Sequence, residues 1–260
     1  MNLHARILNY LVFRHNYKTY LEIGLNDPLY NYVSIMAPEK EACDPYIDEE
    51  ITPVISKYLT YHMTSDKMFE QMPADKKYDL IFVDGLHEGN QVVRDVINSL
   101  KHLNPNGLIV IHDCLPTQEY HAEYPYNKEN PKRQYPQAFD ETWNGTTWQA
   151  LPTLDKLGIK YEVVDYEFGL GIIRYQEGDF TPIEVEDITW NDVFADKDKR
   201  NNTLHVIDHE TFLNTYWLNV LTHSIKPCGL KYTSCCTFYR SEQSDSIMDD
   251  EKYIMLYFLH

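Results

Sequence analysis

Along the first two thirds of the chain, short apolar runs alternate with longer stretches of helical period. Leu3, Ile7, Tyr10 and Leu11 recur at helical spacing and predict an amphipathic helix over residues 3–15. YKTYLEIG reads as a first strand, KEACDPY as a second and YLTYHM as a third. SDKMFEQM opens as a helix with Ser65 as its N-cap. YDLIFVDG is a strand, since its run is continuous and ends in Asp84-Gly85. Val92, Val93, Val96, Ile97 and Leu100 then place one apolar stripe on a helix that stops before Asn104-Pro105-Asn106-Gly107. GLIVIHD is the next buried strand. TTWQALPTLDKLG is a helix capped near Thr146 or Thr147 and stopped at Gly158. IKYEVVDYE and GLGIIRYQE, joined through Phe168-Gly169, form an antiparallel pair. This pattern predicts an α/β fold: a Rossmann-like, seven-stranded, mostly parallel sheet with helices on both faces.

Two stretches depart from it. Residues 114–142 are rich in Pro, Tyr and polar residues without a clean period, as expected of a long functional loop. Beyond residue 178 the chain changes character: ETFLNTYWLNVLTHSI predicts a helix, and LKYTSCCTFYR and KYIMLYFLH two strands. The expected organisation is a main domain over 1–178 and a C-terminal extension over 179–260, a helix and a β-hairpin that caps the substrate or pairs into a homodimer through its edge.

Composition narrows the function classes. With 40 Asp+Glu against 23 Lys+Arg, the net charge of -17 disfavours nucleic acid as a partner. No apolar run approaches the ~18 to 20 residues of a membrane span. The N-terminal run lacks a small-residue cleavage site, so no signal peptide is expected. The five scattered cysteines show no CxxC spacing and fit a reduced, cytoplasmic setting.

In an open parallel sheet, ligands bind beyond the carboxyl ends of the strands. The residues there are Glu22 and Gly24, Asp44, Ser65 and Asp66, Asp84 to His87, and His112-Asp113. Gly24, at a strand-to-helix turn, permits close backbone approach. Asp44, 20 residues on, has the spacing of an acid that accepts hydrogen bonds from ribose hydroxyls. The dinucleotide fingerprint GxGxxG is missing, and Glu22 would repel a diphosphate but suit a sulfonium or ammonium group. That combination favours S-adenosylmethionine over NAD.

YLEIG, ACDPY, MTSDKMF, VDGLH followed by IHD, WNGTTW and GLGIIR together resemble the class I S-adenosylmethionine-dependent methyltransferases, in the small-molecule and sugar O-methyltransferase branch. The resemblance implies that Glu22 and Gly24 line the methionine moiety, Asp44 holds the ribose and Ser65 with Asp66 lies beside the adenine. Asp84 joins this cofactor-binding set. It also implies that Asp84 and the His112-Asp113 pair fall at divalent-cation ligand positions, with Asp84 and Asp113 as the metal-holding carboxylates. His87 falls where such enzymes carry a general base, so His87, His112 and Asp113 are the catalytic candidates. Catechol-type relatives carry Lys at the base and Asp-Asn at the later pair, which this chain replaces by His87 and His112-Asp113.

The expected activity is methyl transfer from S-adenosylmethionine to a hydroxyl of a small-molecule acceptor, a sugar or glycoconjugate precursor, with Mg²⁺ or another divalent cation as a second cofactor. His87 has an intrinsic pKa suited to removing the hydroxyl proton near neutrality. Two other classes stand beside this one: an NAD- or nucleotide-binding oxidoreductase on the same fold, and a non-catalytic partner-binding protein that retains it. Tyr120, Tyr124, Tyr126, Tyr135, Trp143 and Trp148 either line an acceptor pocket or pack the long loop onto the body.

Overall fold

The computed structural model describes residues 3–45, 56–122 and 143–214. The chain to His209 forms one unit, and Glu210 begins a second, of which residues 210–214 are described. The expected C-terminal hairpin and most of its helix lie outside the described residues, as do Tyr124, Tyr126 and Tyr135.

Seven strands form one sheet: β1 Thr19–Ile23, β2 Glu39–Cys43, β3 Tyr78–Val83, β4 Leu103–Ile111, β5 Glu162–Asp165, β6 Leu170–Arg174 and β7 Val206–Asp208. Their order is β2-β1-β3-β4-β6-β5-β7. β6 runs against both its neighbours and the other pairings are parallel. The strand order reverses between β1 and β3, since β2 lies on one side of β1 and the chain returns to the other.

The sheet has its expected seven strands, but not the expected set. YLTYHM is not a strand. Its strand-type pairing with β2 is an isolated bridge between Cys43 and Tyr61, because the amides of Thr60 and Tyr61 both donate to the one carbonyl of Ala42 and no ladder can propagate. The seventh strand is β7, which pairs with β5 and draws residues beyond 178 into the same sheet.

Strand alternation assigns the two faces. Leu21, Ile23, Ile81, Val83, Ile109 and Ile111 pack into one buried cluster with α2 (Ser65–Gln71), α3 (Gly89–Lys101) and α4 (Thr147–Lys156). Tyr20, Phe82 and Val110 point the other way, and α1 (Leu3–His15) reaches that face, where the His4 ring stacks on Phe82 at 5.6 Å. Helices therefore cover both faces, as the unbroken apolar runs of β3 and β4 require.

Helix ends follow from local chemistry. Thr64, not Ser65, is the N-cap of α2, accepting a hydrogen bond from the amide of Lys67. Thr146 precedes α4, but its hydroxyl accepts from the amide of Gly89 at 2.9 Å and so ties the start of α4 to the start of α3. Gly158 follows α4 with φ of 76° and stops it as expected. α5 (Trp190–Phe194) and α6 (Lys197–Thr203) then lead into β7. Among the described residues, no helix is long and apolar enough to cross a membrane.

Candidate active site

Phe82 and Val110 face α1, so by alternation Asp84 and His112, two residues on, face the same side just past the carboxyl ends of β3 and β4. Asp113 then turns its backbone into the left-handed region, φ 60°, which swings its carboxylate back toward His112. His87 is left-handed too, φ 55°, closing the turn that begins at Asp84-Gly85. The result is one imidazole between two carboxylates: His87 Nε2 lies 3.2 Å from Asp84 Oδ1, and His87 Nδ1 lies 3.2 Å from Asp113 Oδ2. His112 Nδ1 lies 3.1 Å from the same Asp84 oxygen and 3.5 Å from Asp113 Oδ1.

These charges tune one another. Burial alone would raise the Asp84 carboxyl, but the charge and hydrogen bonds of His112 and His87 outweigh it and hold Asp84 well below the usual carboxylate range. Burial would likewise lower both imidazoles. Asp84 and Asp113 override it and raise His87 and, further, His112. Asp84, His87 and Asp113 each offer a ligand atom, all within 4.8 Å of one another. Two carboxylate oxygens and an imidazole nitrogen are a donor set that fits a divalent cation.

Sequence reasoning assigned no role to Asn144 or Gly145, which hold this cluster, and read Trp143 only as a pocket-lining or loop-packing aromatic. Asn144 donates from its side chain to Asp113 Oδ1, and its backbone amide, with that of Gly145, donates to the carbonyl of His121. Trp143 stacks on the His87 ring at 5.0 Å. Gly145 is left-handed, φ 62°, and a Cβ there would lie 2.1 Å from the carbonyl oxygen of His87. All three sit in or beside WNGTT, whose Asn-Gly turn was the available signal. Trp148, one of the aromatics considered for the pocket, is instead core, 2% exposed and edge-on to Phe194.

The cofactor candidates occupy the other side of the switch point. Gly24 has φ of 92°, and a Cβ there would lie 2.1 Å from the carbonyl oxygen of Asp84, so the β1 turn rests directly on the end of β3. Asp44 caps β2, and its Oδ2 accepts from the amide of Asn26 at 2.9 Å, drawing that turn toward β2. Ser65 and Asp66 open α2 and share Gln91 as a donor, at 3.1 and 3.3 Å, while Asp66 pairs with Arg94 at 3.3 Å. Glu22 departs from the expectation of an open anionic group. It is 2% exposed, its Oε2 accepts from Tyr20 and Asn31, and burial pushes it up to about 8.

Residues 33–114 match the family model described as a methyltransferase domain. No curated protein matches the chain by sequence. Among solved structures, the O-methyltransferase from Bacillus cereus in complex with S-adenosylhomocysteine is 13% identical, with a TM-score of 0.47 over 68% of this chain and 82% of that one. An S-adenosylhomocysteine-bound methyltransferase from Podospora anserina is 19% identical, with a TM-score of 0.46 over 68% and 80%. An O-methyltransferase of tomaymycin synthesis from Streptomyces achromogenes, with S-adenosylmethionine, is 11% identical, with a TM-score of 0.45 over 67% and 80%. The likeness to a methyltransferase domain thus covers β2, β3 and β4 with the helices between them, the part of the sheet that ends at the Asp84 and His112-Asp113 turns.

Proposed function

We propose that the protein transfers a methyl group from S-adenosylmethionine to a hydroxyl of a small molecule, with a sugar or glycoconjugate precursor as the acceptor class. The observation that carries this reading is the His87 ring, held by a carboxylate at each nitrogen beyond the ends of two adjacent strands.

Methyl transfer to a hydroxyl is an in-line displacement, so the protein must align the acceptor oxygen and remove one proton. His87 is the group for that proton. Trp143 fixes the ring by stacking on it and through its carbonyl, 3.3 Å from Nδ1, and Asn144 fixes Asp113, whose carboxylate pairs with the same nitrogen. A divalent cation held by Asp84 and Asp113 would polarise the acceptor hydroxyl and relieve those carboxylates of their pull on the His87 proton. His112 supports the same Asp84 oxygen from behind. On the cofactor side, Gly24, Asp44, Ser65, Asp66 and the Asp84 backbone frame the cleft. Glu22 is uncharged near neutrality when alone, and a cationic group beside it would draw off its proton.

His87→Ala is expected to lower methyl transfer to hydroxylated acceptors by about 10²- to 10⁴-fold. S-adenosylhomocysteine binding, followed by calorimetry, should stay unchanged. Full activity in the variant would reject His87 as the base. Cofactor binding by the native protein with no turnover across sugar and phenol acceptors would reject the reaction.

A further inference from the structure

His112 faces two ways. Its Nδ1 joins the cluster with Asp84, whereas its Nε2 points to the opposite side, where Glu167 Oε2 stands 3.6 Å away. That distance is too long for a hydrogen bond, and Nε2 is buried with no hydrogen-bond partner among the described residues. Beyond Glu167, His4 Nδ1 lies 3.0 Å from the same carboxylate oxygen.

Three unrelated parts of the chain build this second group. His4 comes from the first turn of α1 and is fully buried. His112 follows β4. Glu167 lies in the turn between β5 and β6, brought to this edge because Ile111 pairs with Gly171, and its backbone is left-handed at φ 56°. The rings of His4 and His112 approach to 4.7 Å without stacking, inclined by 59°.

We propose that His4, His112 and Glu167 form a second divalent-metal site, distinct from Asp84, His87 and Asp113 and joined to it through the His112 ring. The three ligand atoms lie within 4.8 Å of one another. In a tetrahedral shell with bonds of about 2.0–2.1 Å, neighbouring ligands stand about 3.3 Å apart. The separations of 3.0 and 3.6 Å bracket that value and the third pair stands within 4.8 Å, so an ion would enter by drawing the two imidazoles together around the Glu167 oxygen. Two imidazoles and one carboxylate select a borderline first-row ion such as Zn²⁺ or Co²⁺ over Mg²⁺, and three protein ligands leave a coordination position open. The site does not depend on the methyl-transfer reading, because it is defined by bound metal and not by turnover.

The test is metal content of the full chain after equilibration with Zn²⁺ and dialysis, alongside visible absorption on titration with Co²⁺. Glu167→Gln and His4→Phe should each lose one bound equivalent and the Co²⁺ absorption that belongs to it. Asp113→Asn should keep that equivalent. Phe preserves ring packing against Phe82. If it nonetheless prevents folding, judged by thermal melting, Glu167→Gln carries the test alone. An equivalent retained by Glu167→Gln, or no Zn²⁺ bound by the native protein, overturns the proposal.

Discussion

Two left-handed glycines separate backbone strain from steric contact. A Cβ at Gly158 meets nothing within 4 Å, whereas one at Gly145 would collide with His87. Gly158→Ala should therefore cost only the left-handed conformation, about 1–2 kcal/mol, with activity intact. Gly145→Ala should cost more and displace His87, lowering methyl transfer at least tenfold while S-adenosylhomocysteine binding is kept. Thermal melts and a transfer assay on both variants check the contrast. At this scale the sequence exposed Asp84, His87, His112 and Asp113, because they end strands whose apolar runs are unmistakable. It concealed His4 and Glu167, since a contact across 163 positions leaves no local pattern.

Helix α3 carries a buried acid that the apolar stripe does not mark. Asp95 is 1% exposed, accepts from Gln91 at 3.0 Å, and is pushed by burial up to about 7 from an ordinary 3.8. Between those values the folded chain holds a proton that the unfolded chain releases. Its contribution is thus full below about pH 4 and is lost as pH rises to 7, with a slope of at most about 1.4 kcal/mol per pH unit. Asp95→Asn should remove that slope, so its stability relative to the native protein rises from pH 5 to pH 8 in urea titrations. Equal differences at both pH values would show that the Asp95 carboxyl is not perturbed. Among the elements, β1, β3, β4, β5 and β6 were legible because each carries an apolar stretch bounded by turn residues, and β2, mostly charged, because its buried Ala42-Cys43 end runs into Asp44-Pro45. β7 was not, being two half-buried residues and one exposed one that are a strand only because β5 has a free edge to offer. YLTYHM failed in the opposite sense, with strand-forming residues but no ladder to join.

For the whole molecule, the decisive segment is the one after residue 178. Val193 and Leu204 are buried in the same core as Trp148, and β7 closes the β5 edge. A chain ending at residue 209 should unfold cooperatively and bind S-adenosylhomocysteine. One ending at residue 178 would expose Trp148 and that edge, and should melt at least about 10 °C lower or aggregate. Differential scanning calorimetry of both lengths decides whether the catalytic unit ends where its composition changes or where its sheet is completed. Over residues 179–209 the composition shift marks a change in surface, since most positions there are exposed while Val193 and Leu204 are buried in the core.

The turn carrying Asp84 and His87 is gripped from two sides by residues that have no side chain. Gly24 rests on the carbonyl of Asp84, and Gly145 on the carbonyl of His87. The spacing between the β1 turn and the His87 ring is thereby set by backbone touching backbone, a ruler that no rotamer can lengthen. Side-chain substitutions around this turn leave that spacing untouched, while these two glycines fix the frame on which any new specificity must be hung.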